Sequence, residues 1–195
     1  MPGWSEISSS IYGAWRLARM DPGGMAYFNI SVEGFWRSFF AAVLIAPAYV
    51  VLIIVRDIGL SPEVADTGPL PEAFNFVPEI FTYIIGWIAW PLVMLIVVRL
   101  LNQTQNFVPY IIVYNWANVV QIGILLPVAI LTRGGIFPEQ FAAIIGIIAT
   151  LVVLFYLWFV TRTALQVRDW AAAGIVVMDV LIGVLVSNLG GKIFL

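Results

Sequence analysis

Apolar residues fall in five long runs, about residues 35–55, 80–98, 107–131, 141–160 and 171–189, and the polar breaks between them hold nearly all the charge. A helix crosses a bilayer with about 20 predominantly apolar residues. Every run is long enough, although the uncharged part of the first, Phe39 to Val55, is near the short limit until Trp36 and Arg37 are counted at an interface. The pattern predicts an all-α polytopic membrane protein. A bundle of five transmembrane helices over residues 35–190 is preceded by an N-terminal amphipathic interfacial helix within residues 1–27. In that first segment Trp4, Ile7, Ile11, Trp15 and Ala18 recur at spacings of three and four, one face of a helix. Ser5 is a candidate cap, and Asp21-Pro22-Gly23-Gly24 ends the pattern. Two tryptophans on the apolar face, with Arg16 and Arg19 at its far end, predict a helix lying on the membrane surface. Packing against the protein's own loops is the alternative. Trp4, Trp15, Arg16, Arg19, Trp36 and Arg37 are the candidate lipid-interface residues, Arg37 by reaching to the headgroups.

The connectors differ in kind. Residues 57–79 carry Asp57, Glu63, Asp66, Glu72 and Glu79 together with Pro62, Pro69, Pro71 and Pro78, which predicts an extended, solvated, acidic loop. Its acids do not have the spacing of a calcium loop. The polar turn Leu100 to Asn106 is short enough to make spans two and three an antiparallel hairpin. Arg133-Gly134-Gly135 makes the next turn, and Thr161 to Asp169 the last.

Polar residues inside the runs are the candidate chemistry. Pro91 in the second span deprives the Trp87 carbonyl of its usual partner, and Pro127 predicts a bend in the third. Tyr114, Asn115, Asn118 and Gln121 of the third span lie three or four apart, so that face should turn inward. Ala142, Gly146 and Thr150 form a small-residue stripe in the fourth span, which ends in an aromatic belt of Phe155, Tyr156, Trp158 and Phe159. The fifth span holds Asp179, the one acidic residue inside any run, followed at four-residue steps by Gly183 and Ser187. Its small-residue face should pack against other helices. A charge at mid-bilayer costs about 3 kcal/mol, and each strongly apolar residue returns about 0.3 to 0.6. The fifth span is therefore marginal alone and should rely on the other four. Asp179, Asn115, Asn118 and Gln121 are the candidate intramembrane polar site. One reading is a buried hydrogen bond that docks span five on span three; the other is a relay for protons or cations.

Composition agrees. Of 195 residues 62% are hydrophobic and 10% charged, against about 25% charged in soluble domains, so lipid must be the solvent for most of the surface. The net charge of −2 gives no reason to expect nucleic acid. There is neither cysteine nor histidine. That removes disulfides, the commonest metal ligands and the base of a Ser/His hydrolase. An intramembrane aspartyl protease needs two carboxylates in the membrane, and one is present. No catalytic residue, metal or cofactor is expected. Arg16, Arg19, Arg37, Arg99, Arg162 and Arg168 fall on one side of the spans, and Arg56, Arg133 and Lys192 on the other. This puts the N-terminus in the cytoplasm and the C-terminus outside, with Trp36, Trp158 and Trp170 at the cytoplasmic interface. No cleaved signal peptide is expected, the first span serving as insertion signal.

A helix before span one, the entry Phe35-Trp36-Arg37-Ser38-Phe39-Phe40, the Trp90-Pro91 pair and Tyr114-Asn115-Trp116 together resemble the Yip-domain family of membrane proteins over residues 10–190, closest to its bacterial branch. The resemblance implies five spans, an N-in, C-out topology and a plasma (bacterial inner) membrane location, with no activity attached. The Asp-Leu-Tyr-Gly-Pro signature of the eukaryotic branch is absent, so Rab-type partners are not implied. The leading expectation is a non-enzymatic membrane protein acting through lipid or protein contacts, as an accessory subunit of a larger membrane complex or a Yip-like organising protein. Membrane lipids, other membrane proteins or further copies of itself would be its partners. The alternative is a small transporter or channel for protons, cations or lipid, using Asp179 and the amide face of span three. A water-filled cavity reaching Asp179 would favour the second, and an Asp179 sealed and hydrogen-bonded would favour the first.

Overall fold

The computed structural model describes residues 1–58, 76–133 and 137–193, and within them the chain is all-helical, with no strand. The acidic connector falls mostly outside these residues, as does the Gly134-Gly135 turn, and so does the Lys192 side chain that entered the charge count. The helices are α1 (Trp4–Ala18), α2 (Val32–Ser38), α3 (Phe40–Ile58), α4 (Phe76–Leu100), α5 (Phe107–Arg133), α6 (Glu139–Leu165) and α7 (Asp169–Ile193), with a 3-10 segment over Pro22–Tyr27. Five stretches are long and apolar enough to cross a membrane: Val32–Val55, Pro78–Leu100, Thr104–Arg133, Glu139–Leu165 and Asp169–Asn188.

α5 is the centre. Tyr110 to Val113 and Asn115 to Ala117 are all buried, more than one face of a helix can supply unless it is covered on several sides. α3 and α6 pack along it, α1 and α2 close on it from one end, and α7 joins α4 to α6. The α5 backbone comes close to α4 and to α7 at few points, so a gap is left between them. Outward-facing positions such as Val43, Ile88, Ile147, Leu151 and Leu181 are apolar and exposed, the surface expected of helices solvated by lipid.

The N-terminal segment is part of this body. Ile7, Ser10, Gly13, Ala14 and Leu17 are its buried face, turned roughly 90° from the Trp4–Trp15 stripe at 100° per residue. The expected apolar face is therefore split: Ile7 goes inward while Trp4 and Trp15 stay 88% and 52% exposed. The buried side is the side of small residues, because the contact is between backbones. A Cβ on Gly24 would stand 2.5 Å from the Gly13 carbonyl oxygen, and one on Gly13 2.8 Å from that of Gly24. The Tyr156 hydroxyl of α6 donates to the Ala14 carbonyl at 3.0 Å, which takes Tyr156 out of the expected aromatic belt and into the core. The helix start is Gly3, with no side-chain cap; Ser5 lies inside the first turn. Asp21 ends the unit by accepting from the Gly23 amide at 2.8 Å and pairing with Arg16. Ser31 caps α2 through the Gly34 amide at 2.9 Å.

Two further expectations are corrected. α6 runs on to Leu165, so Thr161 is a buried helical residue and the last turn is only Gln166 to Arg168. Gln166 takes the left-handed conformation that ends the helix. Among the described residues a Cβ at Gly146 or Gly183 would meet nothing within 4 Å, so neither glycine sits at a close helix contact.

Candidate functional site

The gap beside α5 is a chamber of about 390 Å³ walled by α3, α4, α5 and α7. Its inner end is Asp179 on α7, facing Tyr114 on α5. The Tyr114 hydroxyl donates to both carboxylate oxygens, at 2.9 Å to Oδ1 and 3.0 Å to Oδ2. One proton serves two acceptors. No other hydrogen bond or ion pair to Asp179 is made among the described residues. The Tyr114 ring lies between Trp90, with centroids 5.5 Å apart, and Tyr110, 5.8 Å apart. Among the described residues Trp90 Nε1 and Tyr110 Oη are buried without a partner in hydrogen-bonding geometry.

α4 supplies the longest wall. Glu79, Tyr83, Trp87 and Trp90 follow at steps of four, four and three, so one face carries an acid and three aromatic rings along the chamber. Tyr83 stacks on Tyr49 of α3 with centroids 4.6 Å apart, and its hydroxyl donates to the Ala42 carbonyl at 2.6 Å. The Tyr49 hydroxyl donates to Glu79 at 3.3 Å. These bonds hold α3 and α4 together at the end of the chamber away from Asp179. Gly183 and Ser187 form part of the α7 wall, in place of the helix contact expected of them.

The amide face of α5 divides. The Asn118 amide donates to the Tyr114 carbonyl at 3.0 Å and the Gln121 amide to Asn118 Oδ1 at 3.1 Å, so both stand along the chamber. Asn115 is about 100° round the helix from Tyr114; it touches the chamber wall but is 1% exposed and donates to Ser38 Oγ at 2.9 Å, tying α5 to α2. None of the three amides bonds Asp179; the phenol of the same face does. Tyr114 was on the expected face but outside the expected site. The aromatic wall of α4 was missed altogether, although the spacing of Glu79, Tyr83, Trp87 and Trp90 carried the signal. Tyr49 had none.

The expected lipid-interface residues part company. Trp4, Trp15 and Trp36 are exposed, as are Tyr12 beside them and Arg19. Arg16 and Arg37 turn back into the protein. Arg16 pairs with Asp21 and reaches the Tyr27 hydroxyl at 3.2 Å; its guanidinium holds the Asp21 carboxyl below the usual carboxylate range, helped by the Gly23 amide. Arg37 bridges Glu6 at 2.8 Å and Glu33 at 2.5 Å, and Glu6 also accepts from Asn29 at 3.0 Å. Arg162 pairs with Asp169 across the last turn at 2.7 Å. Among the described residues no three acidic side chains converge as a metal site would require.

No family model, curated protein or solved structure matches the chain.

Proposed function

We propose that the chain is a non-enzymatic membrane protein that binds a cation in the chamber beside α5 and passes it between the two sides of the membrane. The chamber reaching Asp179 carries this reading. A carboxylate placed among apolar helices without a cationic partner is costly, and that cost is met at a place with room for a ligand. The charge count along the chain supports an orientation with the N-terminus in the cytoplasm. Glu79 then lies at the outer end of the chamber, and the α1–α2 unit covers the cytoplasmic end of the bundle. Proteoliposomes holding the protein should take up protons, sodium, potassium or small ammonium ions faster than empty vesicles, and Asp179→Asn should remove the difference. No uptake of any of them would dismiss transport.

Contact with lipid or with another membrane protein, as in the resemblance to the Yip-domain family, keeps one observation of its own. Trp4, Tyr12, Trp15 and Arg19 form an exposed aromatic and basic face on α1, suited to the headgroup region. If that face is what matters, Trp4→Glu with Trp15→Glu abolishes function in cells while leaving cation uptake in vesicles intact.

A further inference from the structure

We infer that the chamber's ligand is a monovalent organic ammonium ion with an apolar or aromatic body, its charged head at Asp179 and its body between the rings of α3, α4 and α5. This rests on the cation reading above and narrows it. The Asp179 carboxylate has one donor, shared between its oxygens, whereas a carboxylate offers about four lone-pair sites. Acceptor capacity is therefore left over on the side of the cavity. An ammonium group supplies both the missing charge and the missing donors.

An inorganic ion fits less well. Calcium takes about six to eight oxygen ligands, and the oxygens here are dispersed. Glu79 precedes Trp90 by eleven residues of α4, about 16 Å along the helix axis, so it cannot share one small ion with Asp179. Asn118 Oδ1 already accepts from Gln121. What the walls do supply is rings. Tyr49, Tyr83 and Trp87 form a continuous surface, with Tyr83 and Trp87 centroids 6.1 Å apart, and Trp90 with Tyr114 continues it to the acid. Cations within about 6 Å of such ring faces are attracted by the ring quadrupole, more strongly when desolvated. A volume of about 390 Å³ is wasteful for a bare ion and falls in the range of small-molecule sites.

The test is equilibrium binding of labelled phenethylammonium to the full chain in detergent, with phenethyl alcohol, sodium and potassium as competitors. Phenethylammonium should bind, and phenethyl alcohol should fail to displace it. Asp179→Asn keeps an oxygen for Tyr114 and should weaken binding about tenfold. Trp87→Leu should weaken it about three- to tenfold. Gly183→Phe enters open space at the chamber wall and should abolish binding while leaving thermal unfolding unchanged, which guards against misfolded variants. Equal displacement by phenethyl alcohol, or undiminished binding in Asp179→Asn or Gly183→Phe, would overturn the inference. So would absent phenethylammonium binding. If vesicles then still take up sodium, potassium or protons in a manner that Asp179→Asn removes, the ligand class is wrong and the cation reading stands; if they take up nothing, both fall.

Discussion

The two ends of the bundle are built on opposite rules. At the end covered by α1 and α2, backbone lies against backbone at Gly13 and Gly24, Asn115 pairs with Ser38, and Tyr156 pairs with the Ala14 carbonyl. Arg16 and Arg37 are each spent on carboxylates of the same unit. Along the chamber a Cβ on Gly86 or Gly183 would meet nothing within 4 Å, and the two oxygens of Asp179 share the one Tyr114 hydroxyl. Close packing fixes one arrangement of side chains and leaves no room for a ligand. A binding site needs the reverse. The chain places its order at one end and its vacancy at the other.

Glycine substitutions should show the contrast most sharply. Gly24→Ala puts a methyl group against the Gly13 carbonyl oxygen and the Leu17 backbone, neither of which can swing aside. Overpacking of this kind costs about 1–3 kcal/mol. Gly183→Ala should cost nothing. Loss of folded protein on heating, followed by size exclusion in detergent, measures both; equal tolerance at the two sites would erase the distinction between the ends. The next effect is smaller. Asn115→Ala leaves Ser38 without its buried donor and should cost about 1 kcal/mol, within the range of hydrogen bonds between membrane helices. Gln121→Ala, one turn and a half away in the chamber, should leave unfolding unchanged and lower cation uptake. A reversed pattern would mean that the amides of the chamber hold the fold.

The five helices were legible because a span must be apolar all along its length, whatever it touches. For the same reason the sequence says little about which side of a span faces protein. The Trp4–Trp15 stripe was expected to lie on the membrane surface, and Trp4 and Trp15 are indeed exposed, but the face by which α1 packs on the protein, Ser10, Gly13 and Ala14, gave no apolar signal, because close approach needs small side chains. Gly146 and Gly183 misled in the other direction: small residues permit a contact without requiring one. Asp179 stood out, being a carboxylate in an apolar run. Its partner did not, since whether Tyr114 or an amide reaches it depends on how α5 and α7 are rotated against each other. The aromatic face of α4 passed unnoticed because rings in a span serve equally as core, belt or binding wall, and only the acid at the head of the same face distinguishes the last.

The smallest effect concerns pH and belongs to the packed end. Arg16, and after it the Gly23 amide, hold Asp21 below the ordinary carboxylate range. A carboxyl lowered by folding contributes stability that is present above its unfolded value, about 3.9, and is lost as pH falls through the folded one. The pair is partly exposed to solvent, so screening keeps its contribution small. Acidification below about pH 4 should therefore loosen the junction of α1 with the 3-10 segment before the bundle responds. Trp15 precedes Arg16 and is exposed, so a probe at that position reports the event: quenching of a fluorophore on Trp15→Cys, unique in a chain without cysteine, should change in a step that Asp21→Asn abolishes. A step that survives Asp21→Asn would assign the acid response to another carboxylate.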